Sequence, residues 1–297
     1  MNNEKYVNYY LFWLFHLGIS NSTLSNMYHR LDLYDFKKIY AGRYGDYAIS
    51  SIKFTNKELQ LLSEIEYVEQ TKLEVIDLMN KFERYHVRIL FYYDNDYPVQ
   101  LKNIKNPPIF LFARGNFNRL NIMPMISVSG TRKISENSAL KLEKTITELV
   151  EAGFGIVSGL AIGTDVIANR QAYESSGYSV AVIPSSIFDI QPKSNVKVAD
   201  KIIQRGGAIL SEYYSDDFDK SRYINRNRLI SGLGSAVLIP EFDVKSGTMH
   251  TARYAWRQKK PIFTFNNEST GVLKILNQGY AHLYQSVSDL INILGGI

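Results

Sequence analysis

The sequence predicts an α/β fold: an extended, Rossmann-like, doubly wound and mostly parallel sheet, preceded by a small all-helical unit. Three observations predict it. From Met125 onward, apolar β-branched runs alternate with amphipathic stretches over about 160 residues. Two of these runs, in Met125–Arg132 (MISVSGTR) and Gly155–Asp165 (GIVSGLAIGTD), pass straight into a glycine turn that feeds a helix. A parallel sheet uses such turns to offer backbone N–H groups to an anion, and glycine lets the backbone come close because no Cβ intervenes. Before residue 86, by contrast, aromatic and aliphatic residues recur at helical spacing between capping residues.

In the helical unit, Tyr9, Phe12, Leu14 and Phe15 share one spacing. The aromatic run Leu11–Leu17 follows acidic Glu4 and precedes no small-residue cleavage site, so it reads as a buried helix and not a signal peptide. Ser20–Ser22 can cap a helix over Thr23–Leu31. Thr55-Asn-Lys-Glu58 is a capping box, the threonine oxygen accepting from the amide three residues on while Glu58 reaches back. A longer helix is expected over about Tyr67–Tyr85. Residues 86–120 change character: His86–Tyr93 reads as a strand, Asp94–Pro98 as a turn, and Pro107-Pro108 opens a strand over Ile109–Ala113. The boundary is placed there, giving a helical domain over 1–85 and the Rossmann-like domain over 86–297. In the latter the expected strands are Met125–Ser129, Gly155–Ser158, Tyr178–Ile183, Ala208–Ser211, Ser235–Pro240 and Pro261–Phe265. The expected helices are Ser138–Glu151, Thr164–Ser176, Asn195–Gln204, Thr248–Gln258 and Gly271–Asn277.

Composition narrows the function classes. Hydrophobic residues make up 45% and charged residues 21% of the 297, a soluble globular balance. No apolar run approaches the roughly 18 residues of a membrane span, so no membrane insertion is expected and the cytoplasm is the default compartment. With no cysteine, disulfides, thiolate zinc sites and cysteine nucleophiles are excluded, and the five histidines show no metal spacing. The formal net charge is +5; residues 1–120 carry 15 basic against 13 acidic side chains, and residues 121–297 carry 19 against 16. Counted by halves the excess is spread out, so any nucleic acid is expected in a local pocket of cations. The 21 tyrosines fit general Lys/Ile/Asn/Tyr enrichment better than base stacking.

Ligands of doubly wound sheets sit at the carboxyl ends of the strands. Four segments are expected to meet there: Gly130-Thr131-Arg132, Ser158-Gly159, Asn225-Arg226-Asn227-Arg228 and Ser246-Gly247-Thr248. Arg132 can grip an anion from the side. Ser246 or Thr248 can cap the helix that follows and leave N–H groups for an anion. Lys193 and Asn195, in Gln191–Asn195, add a further cation and amide at the same edge. Arg226 and Arg228, taken as an extended segment, cannot both point one way; one is expected to bind ligand while the other pairs with an acid such as Glu212 or Glu241. Enzyme signatures are absent: no G-x-S-x-G elbow, no G-x-x-x-x-G-K-[ST] loop, and Gly153-Phe-Gly155 precedes its strand instead of following it. Asp165, Asp189, Glu212 and Glu241 are read as structural.

VSGTR at Val128–Arg132, IVSGLAIGTD at Ile156–Asp165, SEYY at Ser211–Tyr214, NRNRLISGL at Asn225–Leu233 and SGTMHTA at Ser246–Ala252 together resemble the DprA/Smf family of DNA-processing proteins. Asp96–Leu101 followed by NPPIFLFARG resembles that family's lead-in, so the likeness covers about residues 90–285. The helical front end is similar to the family's SAM-like domain. The resemblance implies a cytoplasmic protein that is not an enzyme and needs no cofactor. It implies binding of single-stranded DNA, dimerisation, and loading of the RecA recombinase, as in natural transformation and competence. It implies that Arg132 and Lys193 contact DNA. The sequence departs from the family at Gln191, usually tyrosine, at Asn169, usually histidine, and at Asn266-Asn267, usually Pro-Gly; after the last helix no winged-helix domain is expected. A Rossmann-like nucleotide sensor or nucleotide-processing enzyme is the competing reading.

Overall fold

The apolar periodicity of the first 85 residues folds as six helices in a computed structural model that describes residues 2–44, 47–217 and 219–295. They are α1 (Asn2–Leu17), α2 (Asn21–Arg30), α3 (Leu33–Tyr40), α4 (Tyr47–Ser50), α5 (Asn56–Ser63) and α6 (Ile65–Arg84). Leu11, Phe12, Trp13 and Leu14 of α1 are all buried, and the Trp13 indole donates to Thr71 of α6 at 3.1 Å. Ser20 caps α2. Thr55 and Glu58 form the expected capping box, and Glu58 also accepts from the Ser20 amide at 2.9 Å, so one carboxylate serves two helix starts. Asp32 and Asp35 make a second capping box, on α3.

Residues His86–Ile297 form a separate compact unit. Its strands are β1 (Arg88–Phe91), β2 (Phe110–Gly115), β3 (Met125–Val128), β4 (Gly155–Ser158), β5 (Ser179–Ile183), β6 (Ala208–Ser211), β7 (Ala236–Ile239), β8 (Ile262–Thr264) and β9 (His282–Leu283). Its helices are α7 (Val99–Lys102), α8 (Glu136–Glu151), α9 (Thr164–Glu174), α10 (Val196–Gln204), α11 (Ser221–Leu233), α12 (Thr248–Arg257), α13 (Thr270–Asn277) and α14 (Val287–Ile293). One nine-stranded sheet runs β1-β2-β6-β5-β4-β3-β7-β8-β9. β2 is antiparallel to both β1 and β6, and every other pairing is parallel. The sheet is therefore the mostly parallel, doubly wound one expected.

Alternation along each strand sorts the two faces. Ile126, Val128 and Ile156 pack with Leu142 and Ile146 of α8 and Ala168 of α9. Met125, Val157 and Val180 look the other way, onto Leu229, Ile230 and Leu233 of α11. The chain winds outward from β3 through β4, β5 and β6, then returns to lay β7 on the other flank of β3. That reversal is the topological switch point, where connections leaving adjacent strands diverge and open a crevice.

One expectation fails. Residues 225–228 are not extended but lie within helix α11. From Arg226 to Leu233 this helix is buried on nearly every side, between the sheet and α12. A helix buried all round has no polar face, so it leaves no amphipathic stripe in the sequence. The short β9 and α14 also went unanticipated.

Two outcomes are expected. Residues 86–297 alone should unfold cooperatively on heating; a molten or insoluble fragment would show that the front helices complete its core. Burial raises the Glu58 carboxyl, but the amides of Thr55 and Ser20 and the hydroxyls of Ser20 and Thr23 outweigh it and hold it lowered from 4.5 to about 2. A depressed carboxyl stabilises the fold above its free value and loses that contribution as pH falls through its folded value. The urea midpoint of the front unit should therefore drop between about pH 4.5 and pH 2, and Glu58→Gln should flatten that stretch of the profile.

Candidate functional site

Three strand ends and one helix enclose a cleft of about 480 Å3 at the switch point. Ser129–Lys133 leave β3, Ala161 and Asp165 follow β4, Glu241–Thr248 follow β7, and Tyr223, Arg226 and Asn227 of α11 form a wall. Hydrogen bonds lock these loops to one another. The Thr131 amide donates to the Glu241 carbonyl at 2.9 Å, and the Thr248 hydroxyl donates to the Gly130 carbonyl at 2.8 Å. The Thr131 carbonyl accepts from both the amide and the hydroxyl of Thr164, at 3.2 and 3.0 Å, so the β3 loop already occupies the first donor of α9. Ser158 points inward, its hydroxyl donating to the Val128 carbonyl at 2.7 Å.

The two glycines serve packing. The space a Cβ would take at Gly130 is filled by the Thr164 side chain. At Gly159 it is filled by the Arg226 guanidinium and the Asp165 carboxylate. The close approach that the sequence attributes to an anion is thus made by protein atoms at both corners.

Arg226 is only 4% exposed. Its Nη1 donates to the carbonyls of Gly159 at 2.6 Å and Val182 at 2.5 Å, tying α11 to the ends of β4 and β5. Its Nε has no hydrogen-bond partner among the described residues, and neither has the buried hydroxyl of Ser246. Burial pushes the Asp165 carboxyl up, and Arg226 opposes that shift most strongly. Burial likewise pulls the Arg226 guanidinium down, with Asp165 opposing.

Arg228 makes a bidentate pair with Glu212, at 2.8 and 2.5 Å, and its Nε donates to the Asn106 carbonyl at 3.1 Å. One arginine does pair with an acid, as expected, but from a helix. The other spends its Nη1 on carbonyls, so neither is a free cation at the surface.

Arg132 is exposed and lies over the Tyr223 ring, 5.4 Å from its centre. Neither Arg132 nor the neighbouring Lys133 has an ion pair among the described residues. Lys133 was not singled out in the sequence, although it adjoins the glycine turn. Lys193 sits in a short 3-10 turn after β5, ion-paired with Asp189, and does not line the cleft. The Asn195 side-chain Nδ2 donates to the Leu160 carbonyl at 2.9 Å, bracing the β4 loop from the next strand end. Neither Ser246 nor Thr248 caps α12: Gly247 holds the cap position, and its carbonyl accepts from Asn227 at 3.4 Å.

Asp165, Glu241 and Asp243 balance Arg132, Lys133 and Arg226 around the cleft. Glu241 accepts from the amide and hydroxyl of Ser135, the cap of α8, at 3.2 and 2.6 Å; Asp243 accepts from Thr270, which opens α13, at 3.0 Å. These two carboxylates are held by neighbouring helix starts, while Arg132 and Lys133 remain unpaired. No group of histidine and carboxylate side chains able to hold a metal occurs among the described residues. At the departures noted above, Gln191 donates to Asp189 at 2.9 Å and Asn169 accepts from Ser179 at 3.1 Å. Asn267 donates to the Pro240 carbonyl at 2.8 Å and accepts from Ser269.

Residues 88–295 match the family described as DNA recombination-mediator protein A. Protein Smf of Borreliella burgdorferi is 30% identical over 252 residues, 82% of this chain and 79% of that one. DNA processing protein DprA of Streptococcus pneumoniae is 33% identical over 199 residues, 67% of this chain and 68% of its own. Among solved structures, DNA processing protein A from Helicobacter pylori, described for its single-stranded DNA binding mode, aligns with a TM-score of 0.64 at 34% identity. That alignment covers 71% of this chain and 96% of that one. The X-ray structure of the Streptococcus pneumoniae protein aligns with a TM-score of 0.73 at 26% identity, over 96% and 97% of the two chains.

The Arg226 contacts generate a test. In Gly159→Ala the new methyl falls on a guanidinium that is buried and fixed by two carbonyls, so it cannot swing away freely. Overpacking of this kind costs roughly 1–3 kcal/mol, and the thermal midpoint should fall accordingly; an unchanged midpoint would show that Arg226 is loosely held.

Proposed function

The chain belongs to the DNA recombination-mediator protein A family, and on that premise we propose that it binds single-stranded DNA in the switch-point cleft. The finer role we propose is that of the DprA type: a homodimer that protects incoming or processed strands in the cytoplasm and delivers them to a RecA recombinase. One observation carries the binding site. The cleft bears Arg132, which has no ion pair among the described residues, and two of its lining residues carry a buried polar atom without a partner among the described residues, the Arg226 Nε and the Ser246 hydroxyl. A buried donor left unsatisfied costs about 1–3 kcal/mol, so a side-chain shift that turns either group toward a ligand rich in acceptor oxygens recovers that cost. The likeness to the Helicobacter pylori protein supports a single strand as that ligand. A single strand can also bend and unstack to put its bases against the cleft, whereas a duplex is stiff and its bases are hidden.

The reading is of a binding protein and not an enzyme. Three of the four carboxylates that the sequence reads as structural have a partner of that kind: Glu212 is held by Arg228, Asp189 by Lys193 and Glu241 by Ser135. Asp165 is buried beside Arg226. No helix among the described residues is long and apolar enough to cross a membrane.

The cleft volume favours one alternative. About 480 Å3 is a size that accepts a mononucleotide, so a nucleotide sensor is the competing reading. The two separate by length and salt. Arg132→Ala should weaken binding of single-stranded DNA similarly for all sequences and lower the log–log salt slope by about 0.7, the loss of one phosphate contact. Fluorescence anisotropy with graded oligonucleotides, duplex controls and free nucleotides should rank long single strand above duplex, and duplex above mononucleotide. Full competition by a micromolar nucleotide, or affinity independent of length, would replace the DNA reading with the sensor.

A further inference from the structure

The turn that ends α12 sets two neighbouring lysines in different surroundings. The Lys259 amide donates to the Trp256 carbonyl at 3.0 Å and the Lys260 amide to the Ala255 carbonyl at 2.9 Å, with Lys259 at a φ of 57°. A left-handed residue closing a helix in this way redirects the chain, and the proline at 261 favours an extended Lys260. Lys259 is left exposed, while Lys260 is half-buried.

Lys260 lines a cavity of about 250 Å3 with Val99, Gln100, Asn103, Ile104 and Gln258. The cavity lies on the α7 and α11 side of the α12 terminus, where Ile104 and Gln258 both border Gly232 of α11. It shares no lining residue with the switch-point cleft. No carboxylate lines it, and the Lys260 ammonium has no hydrogen bond or ion pair among the described residues. Gln258 is engaged at both ends: its Nε2 donates to the Arg228 carbonyl at 3.0 Å and its Oε1 accepts from Ser231 at 2.7 Å. Gln100 donates to the Leu120 carbonyl at 2.8 Å, which leaves its Oε1 buried and without a donor among the described residues. An ammonium carries a charge and three donors, and drawing it out of water without partners is costly. Burial accordingly pulls the Lys260 amine below the ordinary lysine value.

We infer that Lys260 is a modification site, acylated by small acyl phosphates that enter this cavity. The neutral amine attacks the carbonyl carbon. The C–N bond forms, the C–O bond to phosphate breaks, and the amine proton leaves with the phosphate as hydrogen phosphate, so no further reactant is needed. Three features favour a short, uncharged acyl group there. Acylation removes a charge that the cavity leaves unpaired. The amide it makes keeps one N–H, and the cavity offers a buried acceptor still unspent, the Gln100 Oε1. Val99 and Ile104 supply an apolar wall for the alkyl end. The site is independent of what the cleft binds.

The test treats the full chain with limiting acetyl phosphate and reads each lysine by peptide mass spectrometry. Lys259, adjacent and exposed, is the internal reference. Lys260 should be acetylated several-fold faster than Lys259 in the folded chain, and at the same rate in urea, where neither is buried. Equal rates in the folded chain, or a faster Lys259, would overturn the inference. A preference that survives in urea would assign it to local sequence and overturn it as well. Asn103→Trp, at an exposed position on the cavity wall, should obstruct the opening and slow Lys260 several-fold while leaving Lys259 unchanged. Undiminished labelling of Lys260 in that variant, at an unaltered thermal midpoint, would show that the cavity does not admit the acyl donor.

Discussion

The guanidinium of Arg226 sets the geometry of the strand edge. It is buried, it joins α11 to the Gly159 and Val182 carbonyls, and it fills the space that a side chain at residue 159 would need. Taking a charged group out of water is costly unless its hydrogen bonds are made inside. Here two carbonyls and a neighbouring buried carboxylate, Asp165, offset that cost. Because the helix carrying Arg226 leads directly into β7, fixing Arg226 also fixes where β7 lies against β3. The cleft thus depends on a polar contact at its base as much as on the apolar faces behind it.

Much of this was readable from the sequence, for definite reasons. Strands such as Gly155–Ser158 and Ala208–Ser211 are wholly buried, so their apolar runs are short, uniform and bounded by glycine or polar residues. The Thr55–Glu58 box has a fixed spacing and was visible as such. α11 was not, because Arg226, Asn227 and Ser231 are buried beside Leu229, Ile230 and Leu233, and hydropathy shows no stripe. The glycines at 130 and 159 were correctly seen as close-approach positions, but spacing alone cannot say whether an anion or the protein itself approaches. Thr248 looked like a cap, and its hydroxyl instead reaches across to the Gly130 carbonyl. That choice is tertiary and leaves no local mark.

Charge and donors are distributed differently over the molecule. At the switch point, carboxylates such as Glu241 and Asp243 serve helix starts and offset nearby cations, leaving short-range donors in place. Such a site discriminates by fit and by acceptor geometry. The basic side chains Arg253 and Lys274, on α12 and α13, are exposed and form no ion pair among the described residues.

The switch in strand order also bears on how the sheet comes into being. Ile126 pairs with Ile156 on one side and with Ala236 on the other, the second partner more than three times as far along the chain. Closing a longer loop carries a larger entropic penalty before any contact rewards it, and distant pairings tend to form last. The β3–β6 half can assemble from neighbours in sequence, whereas β7 must wait for α11 to find its place. The crevice between the loops after β3 and β7 is therefore expected to be among the last features acquired in folding, so that competence to hold a ligand there would itself report that the chain has finished.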